Sequence, residues 1–280
     1  AQIPVTQLMV GQRRRKQRSG KAVMGNHQRA WLRGFNAVTE TLQAGRWLPE
    51  ELVLSEQLSR DARDTLDGIA QVLSLDCRYE SHERLTELCH ARDHQGVIAR
   101  MPPFPYFDVD WVLENASPPE LFLILDRLQD PFNFGAVCRS AGVFGVDGMF
   151  VAQAGQAEVN GQVVRSSAGA VNRIKLTQTE SLSETVRQLK ASGIQTVATS
   201  PHAERRLDQL DCTVPLAVMI GNEGEGVGDE LLQLCDELVT IPQATGFESL
   251  NAAVSTGIVL YEVHRQRSTG PGITTVVEPD

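Results

Sequence analysis

The chain has 280 residues, 41% of them apolar, with a formal net charge of −9. That length allows one large domain or two ordinary ones with a sizeable buried core. No stretch of about 18 uninterrupted apolar residues is present, and the N-terminal stretch AQIPVTQLMVGQRRRKQRSGK lacks a signal peptide's apolar core, so neither a membrane span nor a leader is expected.

Taken in chain order, residues 1–29 read as a basic, disordered arm. Residues 1–39 hold eight Arg and Lys, from Arg13 to Arg33, and no acid. With +8 there and −9 in total, the rest of the chain carries −17. A basic arm on an acidic body suits a polyanionic partner such as nucleic acid, or serves as a solubilising tail. From residue 30 the pattern is regular. FNAVTETLQAG reads as a helix ended by Gly45, ELVLS as a strand, SRDARDTLDGIAQVL and SHERLTEL as helices, and QGVIARM as a second strand. This alternation predicts a small α/β domain over 30–101, and the prolines of MPPFPYFDVD predict a stiff linker over 102–117.

Residues 118–267 read as a doubly wound α/β domain with a parallel sheet. ELFLILD, GMFVAQ, GIQTVATS, LAVMIG and ELVTIPQ are the strand candidates. GAVCRSAGVFG, SLSETVRQLKASG, DELLQLCDE and ESLNAAVSTGIVLYEVHRQR are the helices. Residues 268–280 read as a loose tail. The five cysteines are odd in number and never form CxxC, which favours a reducing cytosol and a cytoplasmic protein.

Three strand exits combine glycine with polar groups: DRLQDPFNFG, GNEGEGVGDE and PQATGFESLN. At the carboxyl ends of parallel strands such loops let backbone approach a ligand. GxGxxG after the first strand and GxxxxGK[ST] are both absent, and Glu223 and Glu225 oppose a pyrophosphate, so a small cationic or zwitterionic ligand fits better than a dinucleotide. In GAVCRSAGVFG, Gly135, Arg139 and Gly142 fall on one helical face, leaving open room around the guanidinium. Arg139 then either meets a substrate anion or hydroxyl, or pairs with Asp126, Asp130 or Glu223. Asn133 stands where an N-cap belongs, and Glu248, Ser249 and Asn251 read most simply as caps of the last helix. Ser249 has neither a nearby histidine nor a GxSxG elbow to make it a nucleophile. Cys89, His90 and His94 cluster, with the two histidines at helical i, i+4 spacing, but HExxH is absent and no metal site is expected, which leaves His94 to face solvent or RNA.

Together these loops resemble the SPOUT class of methyltransferases, specifically the TrmH/RlmB family of RNA ribose 2′-O-methyltransferases. The residues carrying the likeness are DPFNFGAVCRSAGVFGVDG (130–148), VVRSSAGA (163–170), AVMIGNEGEGV (217–227) and ELVTIPQATGFESLNAAVSTGIVLYE (237–262), with GFNAVTETLQAG and HQGVIARM in the N-terminal region. The resemblance spans about 30–267. It implies a trefoil-knotted SPOUT methyltransferase domain with a parallel sheet, preceded by a small N-terminal α/β substrate-binding domain. It also implies a homodimer and S-adenosyl-L-methionine as cofactor, held at Thr199, Gly221, Asn222, Gly226, Ile241 and Leu250. By position, Asn133, Arg139, Glu223, Ser249 and Asn251 fall on the family's catalytic motifs. The expected partner is RNA, with a guanosine of 23S ribosomal RNA favoured over transfer RNA. The chain departs from the pattern SLNVSVA at SLNAAVS, where Ala253 replaces a serine and Ser255 an alanine. A non-catalytic RNA-binding assembly factor of the same fold is the rival class.

Overall fold

The structure, a computed structural model, describes residues 31–222, 224–244 and 250–268. The basic arm over 1–29, Glu223 and Ser249 thus lie outside the described residues. The chain divides after Phe104 into two compact units.

In the first unit, β1 (Trp31–Arg33), α1 (Phe35–Ala44), β2 (Glu51–Ser55), α2 (Arg60–Leu73), β3 (Cys77–Glu80), α3 (His82–Cys89) and β4 (Val97–Arg100) follow in order. The sheet order is β1-β4-β2-β3, with β4 antiparallel to β1 and β2, and β3 parallel to β2. β1 and β3 go beyond the sequence expectation; both are short edge strands, and β3 has no buried residue. α1 ends where Gly45 turns left-handed (φ 68°) and its N–H reaches the Leu42 carbonyl. α2 starts at Ser59, whose hydroxyl accepts from the Ala62 N–H, and it buries Leu66 and Ala70.

The histidines depart from the expectation. α3 stops at Cys89, and His90 (φ 51°) ends it in the left-handed region, so His90 and His94 share no helix. His94 is fully buried, facing neither solvent nor RNA. Its Nδ1 accepts from Gly96 N–H at 3.0 Å, its Nε2 lies 3.0 Å from Thr86 Oγ1, and its ring lies against that of His82, centroids 4.2 Å apart and tilted by 43°.

In the second unit, α4 (Val109–Glu114) precedes β5 (Leu121–Asp126), α5 (Pro131–Val143), β6 (Gly148–Ala152), α6 (Gly161–Ser166), β7 (Leu176–Thr179), α7 (Leu182–Ala191), β8 (Gln195–Thr199), β9 (Leu216–Gly221), α8 (Asp229–Leu234), β10 (Glu237–Val239) and α9 (Ala252–Ser268). The six strands pair in parallel in the order β10-β8-β9-β5-β6-β7. The two central strands, β5 and β9, are buried at every residue, as continuous apolar runs predict. Alternate residues face opposite sides. Phe122, Ile124, Ala217 and Met219 pack with Val186 and Leu189 of α7, while α9 lies on β9 and α5. Complete burial of Phe122 and Phe150 contributes about 2–3 kcal/mol each.

Several expectations shift. α4 falls inside the segment read as linker, and α6 and the edge strand β7 add to the predicted elements. α8 closes at Leu234, and Ser268 ends α9 instead of opening a tail. α5 starts at Pro131, and its N-cap is Asp130, not Asn133: the Asp130 carboxylate accepts from Phe132 N–H (3.1 Å) and Asn133 N–H (3.3 Å). Proline at the first helical position, lacking an N–H that would go unused, completes that start.

The last turn of α9 is fastened to the amino end of the sheet. Arg267 donates to the carbonyls of Pro119 (2.5 Å), Glu120 (3.1 Å), Cys212 (2.9 Å) and Val214 (2.8 Å). Beside it Gln266 donates to Leu210 O and accepts from Cys212 N–H.

Candidate active site

In the second sheet the chain runs β5-β6-β7 to one side and returns to the other, so the exits of β5 and β9 meet where the strand order reverses. Ligands of open parallel sheets bind at that point, outside the carboxyl ends. The register brings Asp126, the last residue of β5, level with Gly221, the last of β9.

Beyond Gly221 the chain turns back tightly. Asn222 Oδ1 accepts from Gly224 N–H (2.9 Å) and Glu225 N–H (2.7 Å), and Gly226 N–H reaches Asn222 O at 3.0 Å. A Cβ on Gly221 would stand 1.9 Å from the Gly226 carbonyl carbon, so only glycine admits this approach. The result is one wall of a cavity of about 1020 Å³. The other walls are the β8 exit from Thr199 to His202, the β10 exit from Thr240 to Ala244, and Leu250, Ala252 and Ser255 at the head of α9.

Thr199, Gly221, Asn222, Gly226, Ile241 and Leu250 all line this one cavity. Its size is that of a small-molecule or cofactor site. Ile220, Val227, Leu232, Ile241 and Leu250 offer an apolar slot for a flat ring. Asp229 offers a carboxylate for a cationic end. This lining matches the charge and shape of S-adenosylmethionine better than those of a pyrophosphate.

Asn133 and Asn251, 118 positions apart, are joined directly: Asn251 Nδ2 donates to Asn133 Oδ1 at 3.0 Å. Asn251 also caps α9, its Oδ1 accepting from Ala253 N–H and Val254 N–H. The capping and site readings of Asn251 therefore hold together. Arg139 sits differently from the expectation. It is exposed on α5, with no hydrogen bond or ion pair among the described residues, and it does not line the cavity. Gly135 provides no open room beside it, because a Cβ there would strike Ser166 Oγ at 1.8 Å; the glycine lets α6 pack on α5.

Two of the acids expected to pair with Arg139 are committed elsewhere. Asp130 caps α5, and Asp126 takes Arg127 in a fork, Nε to Oδ1 at 3.2 Å and Nη2 to Oδ2 at 3.3 Å. Arg127 also pairs with Glu225. Hydrogen bonding and charge from Asp126, then from Glu225, hold the Arg127 pKa above its ordinary value. Sequence reasoning missed Arg127 and His202, and noted Ser255 only as a departure from the family pattern. An Asp-Arg pair directly after a buried strand was the available signal for the first; His202 needed the fold.

Residues 120–261 match the SpoU rRNA Methylase family, and residues 31–107 match the RNA 2′-O ribose methyltransferase substrate binding family. The chain belongs to the SpoU family of RNA methyltransferases. Over 246 residues it is 30% identical to YacO of Bacillus subtilis (strain 168), a protein described as a TrmH family tRNA/rRNA methyltransferase, covering 87% of this chain and 98% of that one. It is 40% identical over 176 residues to an uncharacterized tRNA/rRNA methyltransferase of Mycobacterium avium (strain 104); this covers 62% of the chain and little more than half, 57%, of that relative. Among solved structures it is similar to the SpoU methyltransferase AviRb from Streptomyces viridochromogenes in complex with the cofactor AdoMet. There the TM-score is 0.73 at 28% identity, covering 86% of this chain and 91% of that one.

Proposed function

We propose that this chain transfers the methyl group of S-adenosyl-L-methionine to a ribose 2′-hydroxyl of RNA, with a guanosine of 23S ribosomal RNA as the target. The observation that carries this reading is the cavity where the β8, β9 and β10 exits meet, next to the Asn133–Asn251 link. When bound, the cofactor supplies a reactive sulfonium methyl. The protein's part is to orient the weakly nucleophilic hydroxyl and stabilise the charge it develops. Arg139 fits the second role, because a guanidinium keeps its charge and acts as a clamp on the alkoxide and neighbouring phosphate, not as a proton acceptor. Asn133 and Asn251 fix ribose and loop geometry, together with Ser249, and Glu223 holds Arg139. Thr199, Gly221, Asn222, Gly226, Ile241 and Leu250 hold the cofactor in a trefoil-knotted domain.

The unit over 30–101 is the RNA-holding domain in this reading. The beginnings of α1, α2 and α3 surround a cavity of about 380 Å³ lined by Phe35, Gln57, His82 and Gln95 among others, and helix N-termini favour phosphate. The protein works as a homodimer. Val254, Ile258 and Tyr261 form one exposed apolar face of α9, and Phe132 and Val143 add exposed apolar surface on α5, against which α9 packs. A second copy covers this face and places Arg139 at a boundary between chains. The cytoplasm is the proposed location, supported by five free cysteines. Among the described residues no helix is long and apolar enough to cross a membrane.

The test supplies methyl-labelled S-adenosylmethionine with unmodified ribosomal RNA and transfer RNA separately, alongside Arg139→Ala. Label in ribosomal RNA, resistant to alkali and lost in the variant, is expected. Label only in transfer RNA overturns the substrate, and neither label nor S-adenosylhomocysteine binding overturns the reaction in favour of a non-catalytic RNA-binding factor.

A further inference from the structure

We propose that Arg127 is a positioning residue for the methyl-donor cavity: anchored by the Asp126 carboxylate, its guanidinium fastens Glu225 and holds the 222–227 turn against the end of β9. The link from turn to cofactor rests on the function proposed above; the clasp itself rests on geometry alone.

Asp126 is 6% exposed, and its carboxylate makes two kinds of contact. Oδ2 accepts from Gly228 N–H at 2.8 Å, which pins the far end of the turn directly. Both oxygens also take the Arg127 fork, and Arg127 Nη1 goes on to Glu225. One buried carboxylate thus holds the turn at positions 225 and 228. Asn222 sets the turn's internal shape, whereas its placement relative to β5 comes from Asp126 and Arg127. Glu225, Gly226 and Val227 are cavity wall, so displacement of the turn reshapes the site.

Arg127 also holds a backbone conformation that costs a non-glycine residue energy (φ 58°). A solvated surface arginine has no need of that conformation. The Glu225 side chain is 71% exposed, so its pair with Arg127 is no source of global stability. Its contribution is local, in where the turn rests.

The test uses the full chain with Arg127→Asn, which tolerates the left-handed backbone, Glu225→Gln, and the double variant. Hydrogen–deuterium exchange over residues 221–228, without ligand, reads the clasp. Calorimetric titration with S-adenosylhomocysteine reads its effect on the cavity. Each single variant is expected to speed exchange in the turn and to weaken binding roughly threefold, with the double variant no worse than either. Unchanged exchange in both single variants, or losses that multiply to roughly ninefold in the double variant, overturns the proposal. If the unmodified chain binds no S-adenosylhomocysteine, the methyl-donor reading fails, while the exchange comparison still decides the clasp.

Discussion

Replacing Gly221 by alanine is the sharpest probe of the cavity. The added Cβ would stand 1.9 Å from the Gly226 carbonyl carbon, 2.1 Å from Val227 N and 2.2 Å from Gly226 O. Van der Waals contact needs roughly 1.5 Å more. Every obstructing atom is backbone, so no side chain can swing aside, and the turn from Asn222 to Val227 must move bodily. Overpacking of this kind costs about 1–3 kcal/mol, and backbone obstruction places Gly221→Ala near the upper end. For a unit of this size that lowers Tm by about 4–10 °C. Since the displaced turn is cavity wall, S-adenosylhomocysteine affinity should fall by more than about tenfold. Scanning calorimetry and isothermal titration on the same preparations give both numbers. Gly68→Ala is the control. It lies within α2 with open space around its would-be Cβ, and should stabilise the first unit by about 0.8–1 kcal/mol. Retention of Tm and of affinity by Gly221→Ala would refute the close approach of turn and strand.

Arg267→Ala leaves four carbonyls without their shared donor and should cost about 2–4 kcal/mol; Arg267→Lys, with one compact ammonium, should recover less than half, as read by urea unfolding. Burial, and secondarily the charge of His82, hold the His94 pKa below its ordinary value. The unfolded chain therefore binds the extra proton first, and stability present above about pH 6.5 is lost as pH falls below it. Melting curves between about pH 7.5 and 5 should show that decline, with a shallower slope in His94→Gln. Ile258→Arg places a charge on the apolar face of α9 and should shift the sedimentation profile from dimer to monomer without unfolding the chain.

The legible parts of this fold are those where burial leaves one choice. β5 and β9 lie inside the sheet and read as unbroken apolar runs. The unanticipated strands WLR, CRYE and LTQT lie at the ends of their sheets and are only three or four residues long, too short to show a hydrophobic period. The helix start at DPFN lies three residues before the expected cap because aspartate and asparagine cap equally well; proline between them is the deciding signal. Sequence spacing correctly sets Arg139 on a helix but not on which face, since packing against α6 and α9 decides that. Residues recognised by family pattern, such as Thr199 and Leu250, converge on one cavity, whereas the Asn133–Asn251 contact spans 118 positions and is a property of the fold.

The Arg267 clamp has a topological corollary. One side chain near the end of α9 grips Pro119 and Glu120, the residues that lead into β5. The start of the first strand of the parallel sheet and the last turn of α9 are thus within a guanidinium's reach of each other, so drawing them apart must first break this clamp.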